Sequence, residues 1–585
     1  MMETMLVSSL TKAGLEKAMT PLTEGKPLIV CRSETISFQI VFRDSNAGAD
    51  TRVSVSRELY GEKGKCIQGR HGAGERTSAG KELYGEESPG EDKNTESKEG
   101  PEIRVRRVLN VMCRRSCNPE SYDQDYLFYD ARMAPDLLRD VAEEMIPVTG
   151  EWQSLWIDIF AGERHKPGMY RLVIRLMTEG GETAAACSVE IRVIGQVLPP
   201  LPILHTEWFH CDGIADYYGV DVFSEEFWRI FRNFIQVYVK RGGNMIYVPI
   251  LTPPLDTEVG LERTTVQLVK VEQEGEEYCF DFSDLGRFLD ICLEEGIAHF
   301  EINHLFTQWG ATAAPKVVAW TGGECRRIFG WDTSSDDPGY LRFLGVLIPA
   351  LKEYLKGRGL LDHTYFHISD EPNPESVQYQ TSQGAVRHLL EGCTIIEAVS
   401  DYEYYAKGLV DIPVCATNHI EPFLENRPPV LWSYFCCSQT VEVPNRFISM
   451  PSWRNRIYGI LLYWLKIDGF LHWGFNFYNS MLSKKKINPY DTVDADGGFP
   501  AGDPFLVYPG KDGIPEESIR IMVQDEAIND YRALYALESR IGRNKVMDLI
   551  RQEAGMELSF RQYPKGDEFI TGLREKVNLL LAQEL

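Results

Sequence analysis

Two hydrophobic periodicities divide this chain. From about residue 20 to 200, runs such as ISFQIVF, VRRVLNVM, QSLWIDIFA, GMYRLVIRLMT and CSVEIRVIG alternate apolar and polar positions. Gly and Pro separate them, which predicts half-buried strands packed as an antiparallel β-sandwich. After VLPPLP the period changes. Eight short apolar runs follow: ILHTEWF, NMIYVPI, AHFEINHL, TYFHISD, TIIEAVSD, VCATNHI, VLWSYFCC and FLHWGFNFY. Between them lie amphipathic stretches such as FSEEFWRIFRNFIQVYVKRGG and FSDLGRFLDICLEEG, each closing on a Gly suited to a helix C-cap. Eight such units over about 280 residues are the size of a (β/α)8 barrel. The expected organisation is multidomain: a sandwich over 1–200, a catalytic barrel over 201–514, and a helical segment over 515–585 packed on the barrel's outside.

One interval breaks the sandwich pattern. Residues 57–101 are rich in Gly, Glu, Lys and Ser and carry the near-repeat RELYGEKG and KELYGEES, which reads as a weakly ordered insertion in a loop. Within it, GERTSAGKE superficially resembles a phosphate-binding loop. Its glycines are one residue too far apart, and Glu82 stands where a Ser or Thr is required.

Composition narrows the function. At 585 residues with 43% hydrophobic and 11% aromatic content, the chain can bury two or three cores. A formal net charge of −25 opposes a nucleic-acid backbone or an anionic membrane as partner. No run reaches membrane-spanning length, and the N-terminus lacks a basic start followed by an apolar segment. The 13 cysteines form no CxxC pair. Free thiols in the cytoplasm are the expectation.

Active sites of such barrels lie at the C-terminal strand ends. Those ends carry His205, Glu207 and Trp208; Asn303, His304 and Trp309; His367, Asp370 and Glu371; Asp401 and Tyr402; Asn418 and His419; Trp432 and Tyr434; and Trp473, Asn476 and Tyr478. Taken singly, the indoles and histidines are as well explained as core residues. Together they resemble the wall of a sugar site, with flat rings for the apolar face of a pyranose and polar groups for its hydroxyls. Candidate binding residues are therefore His367, Trp309, Tyr402, Asn418, Trp432, Tyr434, Trp473 and Asn476. The adjacent carboxylates in YFHISDEPNP, Asp370 and Glu371, cannot easily straddle a glycosidic bond as an ordinary retaining pair does. They suit substrate-assisted cleavage, in which a 2-acetamido oxygen attacks the anomeric carbon. Their repulsion would also hold one of them protonated.

The strand end HISDEP resembles the catalytic motif of glycoside hydrolase family 123, the β-N-acetylgalactosaminidases. GFLHWGFNFYN and VYPGKDGIPEESIRIMVQDEAINDYRAL resemble the family too, as does the sandwich stretch MAPDLL…QSLWIDIF…PGMYRLVIRL…LPPLP. The resemblance implies Asp370 as the residue orienting the acetamido group and Glu371 as general acid/base. It also implies retention through an oxazolinium intermediate, a glycan as partner, and no metal or organic cofactor. Tyr434 is placed near the acetamido oxygen on position alone. Two other readings stay open: a catalytically silent carbohydrate-binding protein, and a metal-dependent hydrolase using His205, Glu207, His367, Asp370 and His419.

Overall fold

The computed structural model describes residues 2–583 apart from 17–18, 62–63, 71–98, 120, 142–144 and 372–376. Two sheets face each other in the N-terminal region. The first orders its strands Glu3–Ser8, Glu34–Arg43, Gln153–Ala161, Glu102–Cys113 and Arg132–Asp140. The second orders Leu28–Arg32, Thr183–Val197, Gly168–Thr178, Arg52–Tyr60 and Cys66–Arg70, with Ile146–Pro147 paired to Arg52–Tyr60. Between them lies an apolar core including Phe38, Ile40, Ile157, Leu172 and Ile191. Every pair is antiparallel except Leu28–Arg32 against Thr183–Val197, which run parallel.

The low-complexity interval begins later than its composition indicates. Arg52–Tyr60 continues through Arg57 and forms a hairpin with Cys66–Arg70, pairing Arg57 with Arg70 and Tyr60 with Cys66. Alternation persists in VSVSRELY, and ladder bonds to Gly168–Thr178 hold it in the sheet. The phosphate-loop look-alike and the whole second half of the near-repeat lie outside the described residues.

The eight apolar runs form a closed parallel barrel: Leu204–Glu207, Met245–Val248, His299–Ile302, Thr364–Phe366, Thr394–Val399, Ile412–Ala416, Trp432–Tyr434 and Gly469–His472. Strand one closes on strand eight from Leu204–Gly469 to Glu207–His472. Helices of ordinary length follow strands one to four, for example Glu225–Lys240, whose Ser224 cap accepts from Phe227 N at 3.2 Å. After strands five and six they shrink to Glu403–Ala406 and Glu421–Glu425. A small sheet built from Lys270–Glu274, Glu277–Asp281, Val317–Thr321 and Glu324–Phe329 rides on the loops after strands two and three.

The helix Ile519–Ile541 stands eighth in the ring. It packs against Ser452–Trp464 on one side, where Gly459 lets Ala527 come into close backbone contact. On the other side Arg241, just past the first long helix, pairs with Asp525 at 2.8 Å. The helix also meets the sandwich: Arg520 pairs with Asp136 at 2.9 Å, and just before it Glu517 pairs with Arg106 at 2.6 Å. A helix covered on nearly all sides reads with little amphipathicity, which explains why its sequence suggested only an outer position. Among the described residues no helix is long and apolar enough to cross a membrane.

Candidate functional site

Strand four ends at Phe366, and the next three residues are held from below. Glu397, on strand five, accepts hydrogen bonds from the backbone N–H groups of Ile368 and Ser369, the latter at 3.2 Å. Its other oxygen faces His367 Nδ1 at 3.2 Å, while His367 Nε2 faces Glu301 at 2.5 Å. Glu301 also accepts from the Trp208 indole and from Thr206 Oγ1, both at 2.7 Å. Burial works against charge on His367, but hydrogen bonds and charges from Glu301 and Glu397 outweigh it and raise it to about 10. An imidazolium clamped between two carboxylates thus forms the floor beneath Asp370.

The chain then turns. Glu371 has φ of +37°, in the left-handed region, and Trp309, whose N–H donates to the Asp370 carbonyl at 3.0 Å, has φ of +59°. Such backbone costs about 1–2 kcal/mol per residue and concentrates at functional sites. In an extended strand two successive side chains would diverge; the turn lets Asp370 and Glu371 line one cavity. The cavity volume is about 100 Å³. Trp208, Trp309, Trp473 and Phe499 supply aromatic wall, and Tyr434 donates its hydroxyl hydrogen to Glu371 Oε1 at 2.8 Å.

Both carboxyls are pushed above their usual range. For Asp370 the causes are burial and the Glu371 charge, offset in part by His367. Glu371 is exposed as a residue, yet the protein around its carboxyl desolvates it and this dominates, opposed by the Tyr434 hydrogen bond. A third carboxyl, Asp256, lines the same cavity and was not singled out from sequence. It sits in the loop after strand two with φ of +39°, accepts from Leu482 N at 2.8 Å, and is raised by burial to about 6. Its one sequence signal was a carboxylate following a barrel strand end, eight residues late.

Several expected binding residues stand elsewhere. Trp432 points into the barrel beside Tyr365, directly over Gly469, whose missing side chain makes its room. It lies two residues below Tyr434 on the same inward row, about 6–7 Å deeper. His367 is fully buried beneath the cavity. The Tyr402 hydroxyl donates to Asn426 O at 3.1 Å, and Asn418 Oδ1 accepts from Gln439 Nε2 at 3.0 Å. Asn476 bridges the loops after strands one and eight through His210 N at 2.8 Å and His210 O at 3.1 Å. None of these five lines the cavity. Trp309, Tyr434 and Trp473 do. The Trp473 indole donates to buried Asp503 at 2.9 Å.

The residues of the metal reading do not converge. Glu207 is bound by Arg446 at 2.9 Å and by Gln524 at 2.7 Å, and His419 is exposed. Among the described residues, one group has ligand atoms within 4.8 Å of one another: His304, His367 and Glu397. It is poorly suited to a cation. Each His367 nitrogen already faces a carboxylate, and Glu397 is filled by backbone N–H donors and His367.

Residues 208–537 match the family model described as Glycoside hydrolase 123, catalytic domain. That match, over more than half of the chain, sets the class: a glycosidase whose chemistry is carried by a barrel. The chain belongs to glycoside hydrolase family 123. Among solved structures it is similar to a family 123 glycoside hydrolase from Clostridium perfringens, described for glycolipid glycan hydrolysis. Identity is 15%, with 99% of this chain and 97% of that one covered and a TM-score of 0.70. Weaker likenesses include a β-glucuronidase from Parabacteroides merdae (11% identity, 92% and 52% covered, TM-score 0.28) and a maltogenic amylase from S. marinus (11%, 91% and 84%, TM-score 0.29). No curated protein matches the chain.

Proposed function

We propose that this family 123 hydrolase removes terminal β-linked N-acetylgalactosamine with retention, by substrate-assisted catalysis. The observation that carries the reading is the left-handed turn at Glu371, which brings two consecutive carboxyls to one aromatic-walled cavity. Glu371, raised by desolvation of its carboxyl, protonates the leaving oxygen. Once it carries that proton, the charge that raises Asp370 is gone, and the His367 cation favours ionised Asp370. Asp370 then accepts the acetamido N–H and aims the carbonyl oxygen at the anomeric carbon. After the oxazolinium ion forms, Glu371 takes a proton from the attacking water. Tyr434, first placed at the acetamido oxygen, is read here as the residue that holds Glu371.

The test is a set of initial rates on p-nitrophenyl β-glycosides of N-acetylgalactosamine, N-acetylglucosamine and galactose. Turnover of the first, little of the second and none of the third is expected. Glu371→Gln should impair natural glycosides more than aryl glycosides, whose leaving groups need little protonation. Asp370→Asn should impair both alike. Cleavage of the plain galactoside would refute acetamido assistance. Sugar binding with no turnover would favour the silent binding protein.

A further inference from the structure

Beyond strand seven the chain runs through Phe435, Cys436 and Cys437 into a turn. Extended backbone would send the two cysteines to opposite sides, yet both line the cavity that holds Glu371 and Tyr434. Both are free thiols, and both pack on the apolar cluster that includes Trp208, Leu471 and Trp473. Side chains fix the turn, two from the residues that follow it and one from the N-terminal region. Gln439 Oε1 accepts from Cys436 N at 2.8 Å, Asn445 Nδ2 donates to Cys436 O at 2.8 Å, and Asn118 Nδ2 donates to Cys437 O at 2.7 Å. The proposed glycosidase chemistry uses neither sulfur.

We propose that Cys436 and Cys437 form a dithiol site for thiophilic trivalent arsenicals in the wall of the glycan cavity, and that occupying it excludes the sugar. Soft sulfur donors select soft ions and metalloids, and a second bond formed within one site gains from effective concentration. Cys437 is half-buried and Cys436 buried, so Cys437 reacts first and Cys436 closes the ring. With an organoarsenic oxide, two As–S bonds form and the As=O bond breaks. Its oxygen leaves as water with both thiol protons, and no redox change occurs. The capture step is independent of the function proposed above; only the exclusion of sugar rests on it.

Phenylarsine oxide is added to the full-length protein in excess glutathione and read by intact mass. The expected result is an adduct that survives glutathione, is released by dithiothreitol, and is lost in Cys436→Ala and in Cys437→Ala. Proteolytic mapping of the wild-type adduct to the peptide holding both cysteines gives a readout independent of how the variants fold. An adduct retained by the Cys436→Ala/Cys437→Ala double variant, or mapped elsewhere, overturns the site. On whichever glycoside the enzyme cleaves, the adduct should lower the rate at least tenfold, with recovery in dithiothreitol. An adduct at this pair that leaves the rate unchanged overturns the exclusion of sugar while leaving capture intact. If no glycoside is cleaved, slowing of adduct formation by N-acetylgalactosamine tests the same exclusion, and an unchanged rate of formation overturns it.

Discussion

Replacing Glu397 with Gln should damage catalysis without touching the cavity. Glu397 is fully buried and accepts from four donors: Ile368 N, Ser369 N, His367 Nδ1 and, at 3.5 Å, the Tyr379 hydroxyl. Gln keeps the shape but turns one oxygen into an NH₂ donor. If the amide faces His367, two donors meet there; if it faces the strand end, it opposes two backbone N–H groups. An unsatisfied buried donor costs about 1–3 kcal/mol, and breaking a buried charged pair costs up to about 3–5 kcal/mol. Glu301 still compensates His367, so about 2–4 kcal/mol is expected for Glu397→Gln. That corresponds to a urea midpoint roughly 1 M lower for the barrel transition. Because the loosened segment carries Asp370 and Glu371, kcat should fall about tenfold to a hundredfold, as a displacement near 1 Å does, while KM changes little. Loss of one of the two carboxylates that raise His367 should also lower its pKa, visible in its imidazole NMR titration. A midpoint within about 0.2 M of wild type, with kcat within twofold, would refute the view that Glu397 holds Asp370 and Glu371 in place.

Two further outcomes are expected. Tyr434→Phe removes the hydrogen bond that favours ionised Glu371, so Glu371 should stay protonated to higher pH and the basic limb of the kcat/KM profile should move up; a downward shift would contradict the contact. Gly459→Ala would drive a methyl group into the Ala527 carbonyl and separate two buried helices, costing about 1–3 kcal/mol as overpacking does; an unchanged unfolding midpoint would show that the helix pair yields freely.

Much of this architecture was legible from the chain. The barrel strands are short apolar runs bounded by turn residues, and eight of them in sequence leave few alternatives. The small added sheet was not legible, because strands such as KVEQE and ECRRIF are mostly polar and exposed. The Asp370–Glu371 pair stood out because like charges side by side at a strand end demand a reason. Period-two alternation placed Trp432 and Tyr434 on one inward row but carries no information on depth, so only Tyr434 reaches the cavity. Tyr402, Asn418 and Asn476 lie near strand ends yet hold neighbouring loops, a common use of polar side chains there. Asp256 was missed because its approach depends on a left-handed turn far along a loop, which no local pattern signals.

The seam between the first and last barrel strands bears on how the molecule is made. Leu204 pairs with Gly469, so the ring cannot shut until 265 further residues (469 − 204) have been synthesised. At about 5–20 residues per second that is roughly 15–50 s on the ribosome. The helix that completes the outer ring emerges later still. Meanwhile the sandwich strands, complete by residue 197, wait with their docking face uncovered. Part of that face is ionic: Asp136 will later receive Arg520, and Arg106, already paired with Asp158 at 2.6 Å, will receive Glu517. A waiting surface studded with charge stays hydrated where a purely apolar one would invite association between nascent chains.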